Sequence, residues 1–163
     1  MTINLPFFNE IDSDLLVDYY EADIDLNLKK IQLDVNFDEN SIELDRLLIL
    51  KNYLENLSEL IDLAEKEIQT DFSNGEEVKE FITFHIEELD KDDIDNLLKE
   101  ADKNLSIEQQ ILSILKLKRI GFYPDDEDNF AVLDFTLNED LSQYILVVNI
   151  TENKALNYIT MES

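Results

Sequence analysis

Four apolar runs close the sequence: Leu115–Tyr123 (LKLKRIGFY), Phe130–Leu137 (FAVLDFTL), Gln143–Ile150 (QYILVVNI) and Ala155–Met161 (ALNYITM). Within them Val, Ile, Leu, Phe and Tyr alternate with polar residues, the two-residue period of strands with one buried face. Pro124-Asp125-Asp126, Asn138-Glu139-Asp140 and Glu152-Asn153-Lys154 break the runs with turn chemistry. Alternating runs joined only by turns predict an antiparallel meander. Such a sheet buries one face against something apolar, and the preceding segments supply helices that can do so.

Reading back from the meander, Ser106 and Gln109 have capping-box spacing and open a helix from Ile107 toward Leu115. Ile94, Leu97, Leu98 and Ala101 give a short amphipathic helix with Asp90 or Asp92 as its cap. Val78, Phe81, Ile82, His85, Ile86 and Leu89 form the buried stripe of another, started by Ser73 with Glu76. Asn74-Gly75 should stop the helix before it, Gly accepting the left-handed conformation of a C-terminal cap. That helix carries Leu47, Leu50, Leu54, Leu57, Ile61, Ala64 and Ile68 at spacings of three and four. Asn40 with Glu43 is its expected capping box, and Asn56–Ser58 is a candidate break.

Further back, Ile24, Leu26 and Leu28, then Ile31, Leu33, Val35 and Phe37, alternate with acidic and amide residues. They predict a hairpin that reverses near Asn27–Lys30. Met1–Tyr20 reads either as one helical turn or as an extended approach to that hairpin. Strands segregate at the two ends of the chain, so the class is α+β rather than alternating α/β. The expectation is one α+β domain over residues 1–163. It has an N-terminal β-hairpin, central amphipathic helices and a C-terminal antiparallel meander, with the helices packed on one face of the sheet. Leu54, Ile61, Phe81, Ile82, Val132, Leu146 and Val148 are the expected core.

The charge is the unusual property. Thirty-nine Asp and Glu against 13 Lys and Arg give a formal net charge of -26, while apolar residues make up an ordinary 44%. A field this negative repels nucleic acid and anionic membranes, whose binding rests on Lys and Arg. It attracts a basic protein and speeds its encounter. No apolar run approaches the roughly 20 residues that span a bilayer, and the N-terminus lacks the basic and apolar regions of a secretory leader. With no cysteine, disulfides and thiolate chemistry are excluded. A cytoplasmic chain, bacterial in style, is expected.

Candidate chemistry is sparse. His85 is the only histidine, which excludes multi-histidine metal sites, and it falls on an apolar helical stripe. A packed ring is the expected reading there, with a catalytic base as the alternative. Asp23-x-Asp25-x-Asn27 begins like a calcium loop, but Leu28 stands where the loop's sharp turn needs Gly. No catalytic residue, metal site or cofactor is therefore expected. The basic cluster Lys116, Lys118 and Arg119 should pair with neighbouring acids rather than bind an external anion. The acids chosen as partner-binding candidates are the densest runs: Glu87, Glu88, Asp90, Asp92 and Asp93, and Asp125, Asp126, Glu127 and Asp128.

Three passages carry a resemblance. They are Ile31–Phe37 (IQLDVNF), Gly121–Asp126 (GFYPDD) and Tyr158–Ser163 (YITMES). With the acidic helical middle they resemble a bacterial family of small acidic proteins known only as a domain of unknown function. In size and composition such domains are also similar to immunity proteins, which neutralise a toxin by binding it. The resemblance implies no catalytic residues. The expected function is a non-catalytic protein whose acidic surface docks a basic protein partner. The rival is an enzyme or small-molecule binder using Asp, Glu and His85 in a cleft, and a self-associating protein using the long helical stripe is a third reading.

Overall fold

The structure, a computed structural model, describes every residue from Met1 to Ser163. The N-terminal segment forms a small hairpin, β1 (Thr2–Leu5) pairing antiparallel with β2 (Asn9–Asp12), rather than a helical turn. Its turn holds Phe7 and Asn9 at φ of 70° and 64°. Phe is rare in that left-handed region, so the turn lacks the residue types by which hairpins are recognised. Leu5, Ile11 and Leu16 carry this segment into the main core.

β3 (Tyr19–Leu26) and β4 (Lys29–Asn36) are the expected hairpin. The reversal falls at Asn27 and Leu28, whose φ values of 52° and 67° match a two-residue turn of the kind that continues strand twist. The long helical stripe is two helices, α1 (Leu44–Glu55) and α2 (Leu57–Asn74), broken at Asn56. The capping box at Asn40 does not form. Glu43 precedes the helix without a side-chain cap bond. The chain before it is instead drawn onto the N-terminal segment: Leu16 N–H donates to the Asn40 carbonyl at 2.8 Å, and Ile42 N–H to that of Ser13 at 2.9 Å.

The junction between α2 and α3 (Glu77–Glu88) also differs from expectation. Gly75 is extended (φ -114°, ψ -163°), not left-handed. Its lack of a side chain matters for space, because a Cβ there would lie 2.5 Å from Asp71 Oδ2. Asp71 Oδ1 accepts from Val78 N–H at 2.8 Å, so Asp71, rather than Ser73 with Glu76, satisfies the start of α3. α4 (Lys91–Leu97) follows Asp90, whose side chain makes no cap bond, and stops before Ala101. α5 (Ile107–Ile114) opens with the predicted capping box: Gln109 N–H donates to Ser106 Oγ (3.2 Å) and Ser106 N–H to Gln109 Oε1 (3.3 Å).

The four C-terminal runs are β5 (Lys116–Phe122), β6 (Ala131–Thr136), β7 (Ile145–Ile150) and β8 (Leu156–Glu162). They join the first hairpin in one six-stranded sheet of order β3-β4-β5-β6-β7-β8. Every pair is antiparallel except β4 with β5. That pair is parallel because the whole helical stretch serves as its crossover. α2 lies over β7 and β8, and α3 against β8 and α5. On the helix side Leu33, Ile120, Leu133, Leu146 and Val148 are fully buried. Of the expected core, Leu54, Phe81, Ile82, Leu146 and Val148 are buried, whereas Ile61 and Val132 are only half-buried. Strand alternation explains Val132: Leu133 points to the helices, and its neighbour points to the other face.

Candidate functional site

The opposite face of the sheet is polar and centred on Arg119. Arg119 follows a register shift between Leu117 and Arg119 in the β5–β6 pairing. Its guanidinium donates to both oxygens of Asp34 (2.6 and 2.8 Å), to Asp134 (3.1 Å) and to the Tyr123 hydroxyl (2.9 Å). Asn36 adds a third donor to Asp34 at 2.7 Å. Gly121 makes room for this, since a Cβ there would sit 2.3 Å from the Arg119 guanidinium. Burial alone would lower the Arg119 pKa, but hydrogen bonds to Asp34 and Tyr123 and the Asp34 charge raise it above its ordinary value. Burial holds the Asp134 carboxyl above the usual range, although Arg119 draws it down. Asp34, with none of its surface exposed, is thus a satisfied buried carboxylate. Lys118 pairs with Glu139 at 3.3 Å. The expected pairing of the basic cluster therefore holds for Lys118 and Arg119, while Lys116 makes no ion pair.

A groove of about 730 Å³ lies beside the β5–β6 connection. Asp14, Glu43, Asp125 and Glu127 line it together with Arg46 and Met1. Arg46 is occupied from behind: Nε donates to the Pro124 carbonyl at 2.8 Å, Nη1 pairs with Glu152, and the guanidinium lies over the Phe130 ring at 5.5 Å. Phe130 stacks in turn on Tyr53 (5.3 Å), whose hydroxyl pKa burial pushes up to about 12. The groove is thus an acidic rim on an anchored floor.

Of the candidate acids, Asp125 and Glu127 face this groove. Asp126 is spent on the turn itself, its Oδ1 accepting from the N–H groups of Asp128 and Asn129 (2.9 and 3.0 Å), and Asp128 is exposed. Asp125 also accepts from Asp38 N–H at 2.8 Å, which fixes its direction. Glu87, Glu88, Asp90 and Asp92 are exposed and Asp93 half-exposed around the junction of α3 and α4. The two groups do not come together. The Asp125–Asp128 loop precedes β6, whereas the end of α3 meets the connection that follows it, Phe84 packing on Tyr144 at 4.6 Å. Six residues of β6, about 20 Å of strand, lie between those connections. Asp14 and Glu43 escape sequence reasoning because only the fold brings them to the Asp125 loop.

His85 is buried, 1% exposed. Its Nδ1 lies 2.8 Å from the Phe81 carbonyl, which can only accept, so that nitrogen carries the proton. Nε2 then accepts from the Ser142 hydroxyl at 2.7 Å. Ser142 Oγ itself accepts from Tyr144 N–H at 3.1 Å. Burial lowers the His85 pKa, against the bond to Phe81. The imidazole is a neutral strut tying α3 to the β6–β7 connection, and none of the principal grooves reaches it. No three acidic or histidine side chains converge in a metal-holding arrangement, and no helix is long and apolar enough to cross a membrane.

Comparison with protein-family models, with curated proteins and with solved structures gives no match for this chain.

Proposed function

We propose that this chain is a non-catalytic binding protein that docks a basic protein partner through its acidic surface, an immunity protein that neutralises a bacterial toxin being the concrete form. The observation that carries this reading is how few of the carboxylates are paired with a cation within the chain. Seven acids take part in ion pairs (Asp12, Asp14, Asp34, Glu55, Asp134, Glu139 and Glu152). With 39 acids in all, 39 less 7 leaves 32 without a cationic neighbour. A fold seldom needs so much self-repulsion, and a basic partner would relieve it. The 730 Å³ groove gives such a partner a place for a Lys or Arg side chain between Glu43, Asp125 and Glu127.

The test is an affinity purification from a bacterial lysate, washed at low and at high salt, with wild-type chain beside a Glu43→Lys, Asp125→Lys, Glu127→Lys variant. A basic protein retained by the wild type at low salt, and lost by the variant, supports the reading. Retention that ignores both salt and charge reversal overturns it.

A second reading, an enzyme or small-molecule binder working through His85, has one observation in its favour, the 2.7 Å contact of Nε2 with Ser142 Oγ. Covalent labelling of Ser142 by a serine-directed phosphonylating probe, abolished in His85→Gln, would favour it.

A further inference from the structure

We propose that a recess at the lower edge of the sheet binds a compact oxyanion of the phosphate class. The recess, 380 Å³, is small-molecule sized and opens where β5 begins and β6 ends. Lys30, Lys116 and Lys118 line it, with Thr136 and Asn138. The topology gathers these lysines from separate places in the chain. β4 runs parallel to β5 with Gln32 beside Arg119, so Lys30 is level with the first residues of β5. Lys116 pairs across with Thr136, and Lys118 falls in the register shift.

Two features single the recess out. Lys30 and Lys116 make neither an ion pair nor a hydrogen bond within the chain, in a protein where acids outnumber bases 39 to 13. Thr136 makes no side-chain hydrogen bond within the chain, and its hydroxyl is not sealed from solvent. A hydroxyl open to the recess beside two free ammonium groups offers three donor groups to an acceptor from outside. Asn138 Oδ1 already accepts from Asp140 N–H at 2.8 Å, which leaves its amide NH₂ to donate. Glu139 and Asp140 also line the recess, but Glu139 is neutralised by Lys118. The local balance is three ammonium groups against two carboxylates. A nucleic acid or an anionic membrane would press its further charges against the acidic remainder of the molecule. One compact anion meets the three lysines and no carboxylates beyond Glu139 and Asp140.

The test is an amide NMR titration with sodium phosphate at ionic strength held constant with sodium chloride. The expected result is saturable shifts with a common Kd at Lys30, Lys116, Thr136 and Asn138. Lys116→Gln should weaken binding by about tenfold or more, the usual worth of a hydrogen bond to a charged group. Thr136→Val should weaken it too, while its urea midpoint equals or exceeds that of the wild type, because the hydroxyl it removes is unpartnered in the free protein. Lys66→Gln, exposed on α2, should change nothing. A parallel titration with phosphoserine distinguishes a free ion from a phosphoryl group carried on a larger molecule, tighter binding assigning the recess to the latter. Shifts that rise linearly with phosphate, or that survive both Lys116→Gln and Thr136→Val, overturn the site.

Discussion

Arg119 and His85 show what single residues contribute here. Removing the Arg119 guanidinium, as in Arg119→Met, strands the fully buried Asp34 and the half-buried Asp134 without their cation. The expected cost is about 3–5 kcal/mol, the range for breaking one side of a buried pair, read as a loss of urea midpoint. Arg119→Lys should recover only part of it, because an ammonium cannot hold both Asp34 oxygens in the flat fork that guanidinium offers. For His85 the expectation concerns pH. Its folded pKa lies below the ordinary 6.5, so below that value the unfolded chain binds the extra proton first. The stability it contributes is fully present above pH 6.5 and is lost as pH falls through the folded pKa. His85→Leu, which deprives Ser142 of its acceptor, should cost about 1–3 kcal/mol at pH 7.5, and the gap to wild type should narrow at pH 5. A gap of constant size would deny the neutral-strut role. The packed state of His85 was legible from its place beside Phe81 and Ile82 on one stripe. Its tie to Ser142 was not, because 57 residues separate them and only the fold closes that distance.

Elements with strong periodicity were the legible ones. The stripe from Leu47 to Ile68, the break at Asn56, the Ser106 capping box and all four C-terminal strands follow from local pattern, and the structure has each of them. What the sequence concealed was decided by contacts from elsewhere. Asn40 has cap chemistry, yet Leu16 claims its carbonyl. Ser73 has it too, yet Asp71 reaches Val78 first. The β1–β2 hairpin turns on Phe7 at positive φ, which no turn rule favours. Where helices meet the sheet, packing sets the stability. Ile82→Ala on α3 and Leu146→Ala on β7 each remove a fully buried side chain and should cost about 2–5 kcal/mol. Val132→Ala, on the far face and half-buried, should cost clearly less. Equal losses from Leu146→Ala and Val132→Ala in urea denaturation would contradict this assignment of faces.

At the scale of the molecule, charge dominates. Folding confines 39 carboxylates to a smaller volume than the unfolded chain occupies, and 32 of them have no cation within ion-pair reach. Their mutual repulsion is stronger in the folded state than in the more expanded unfolded chain. Protonation relieves that repulsion, so stability should rise as pH falls from neutral toward the carboxylate range. Burial of Asp134 acts in the same direction, while His85 opposes it. Urea melts should show a higher midpoint at pH 5.5 than at pH 7.5. At pH 7.5 the midpoint should also rise with sodium chloride as the screening length shrinks to about 8 Å. A midpoint lower at pH 5.5 and indifferent to salt would mean that specific ion pairs such as Arg119 with Asp34 govern stability instead. The same field is the basis of the proposed docking of a basic partner. The most direct measurement is the association rate with the basic protein retained in the salt-graded purification, followed by stopped flow from about 20 to about 500 mM sodium chloride. Electrostatic docking predicts an on-rate that falls by about tenfold or more across that range while the off-rate changes little. An on-rate and affinity that stay flat from low to high salt would contradict it.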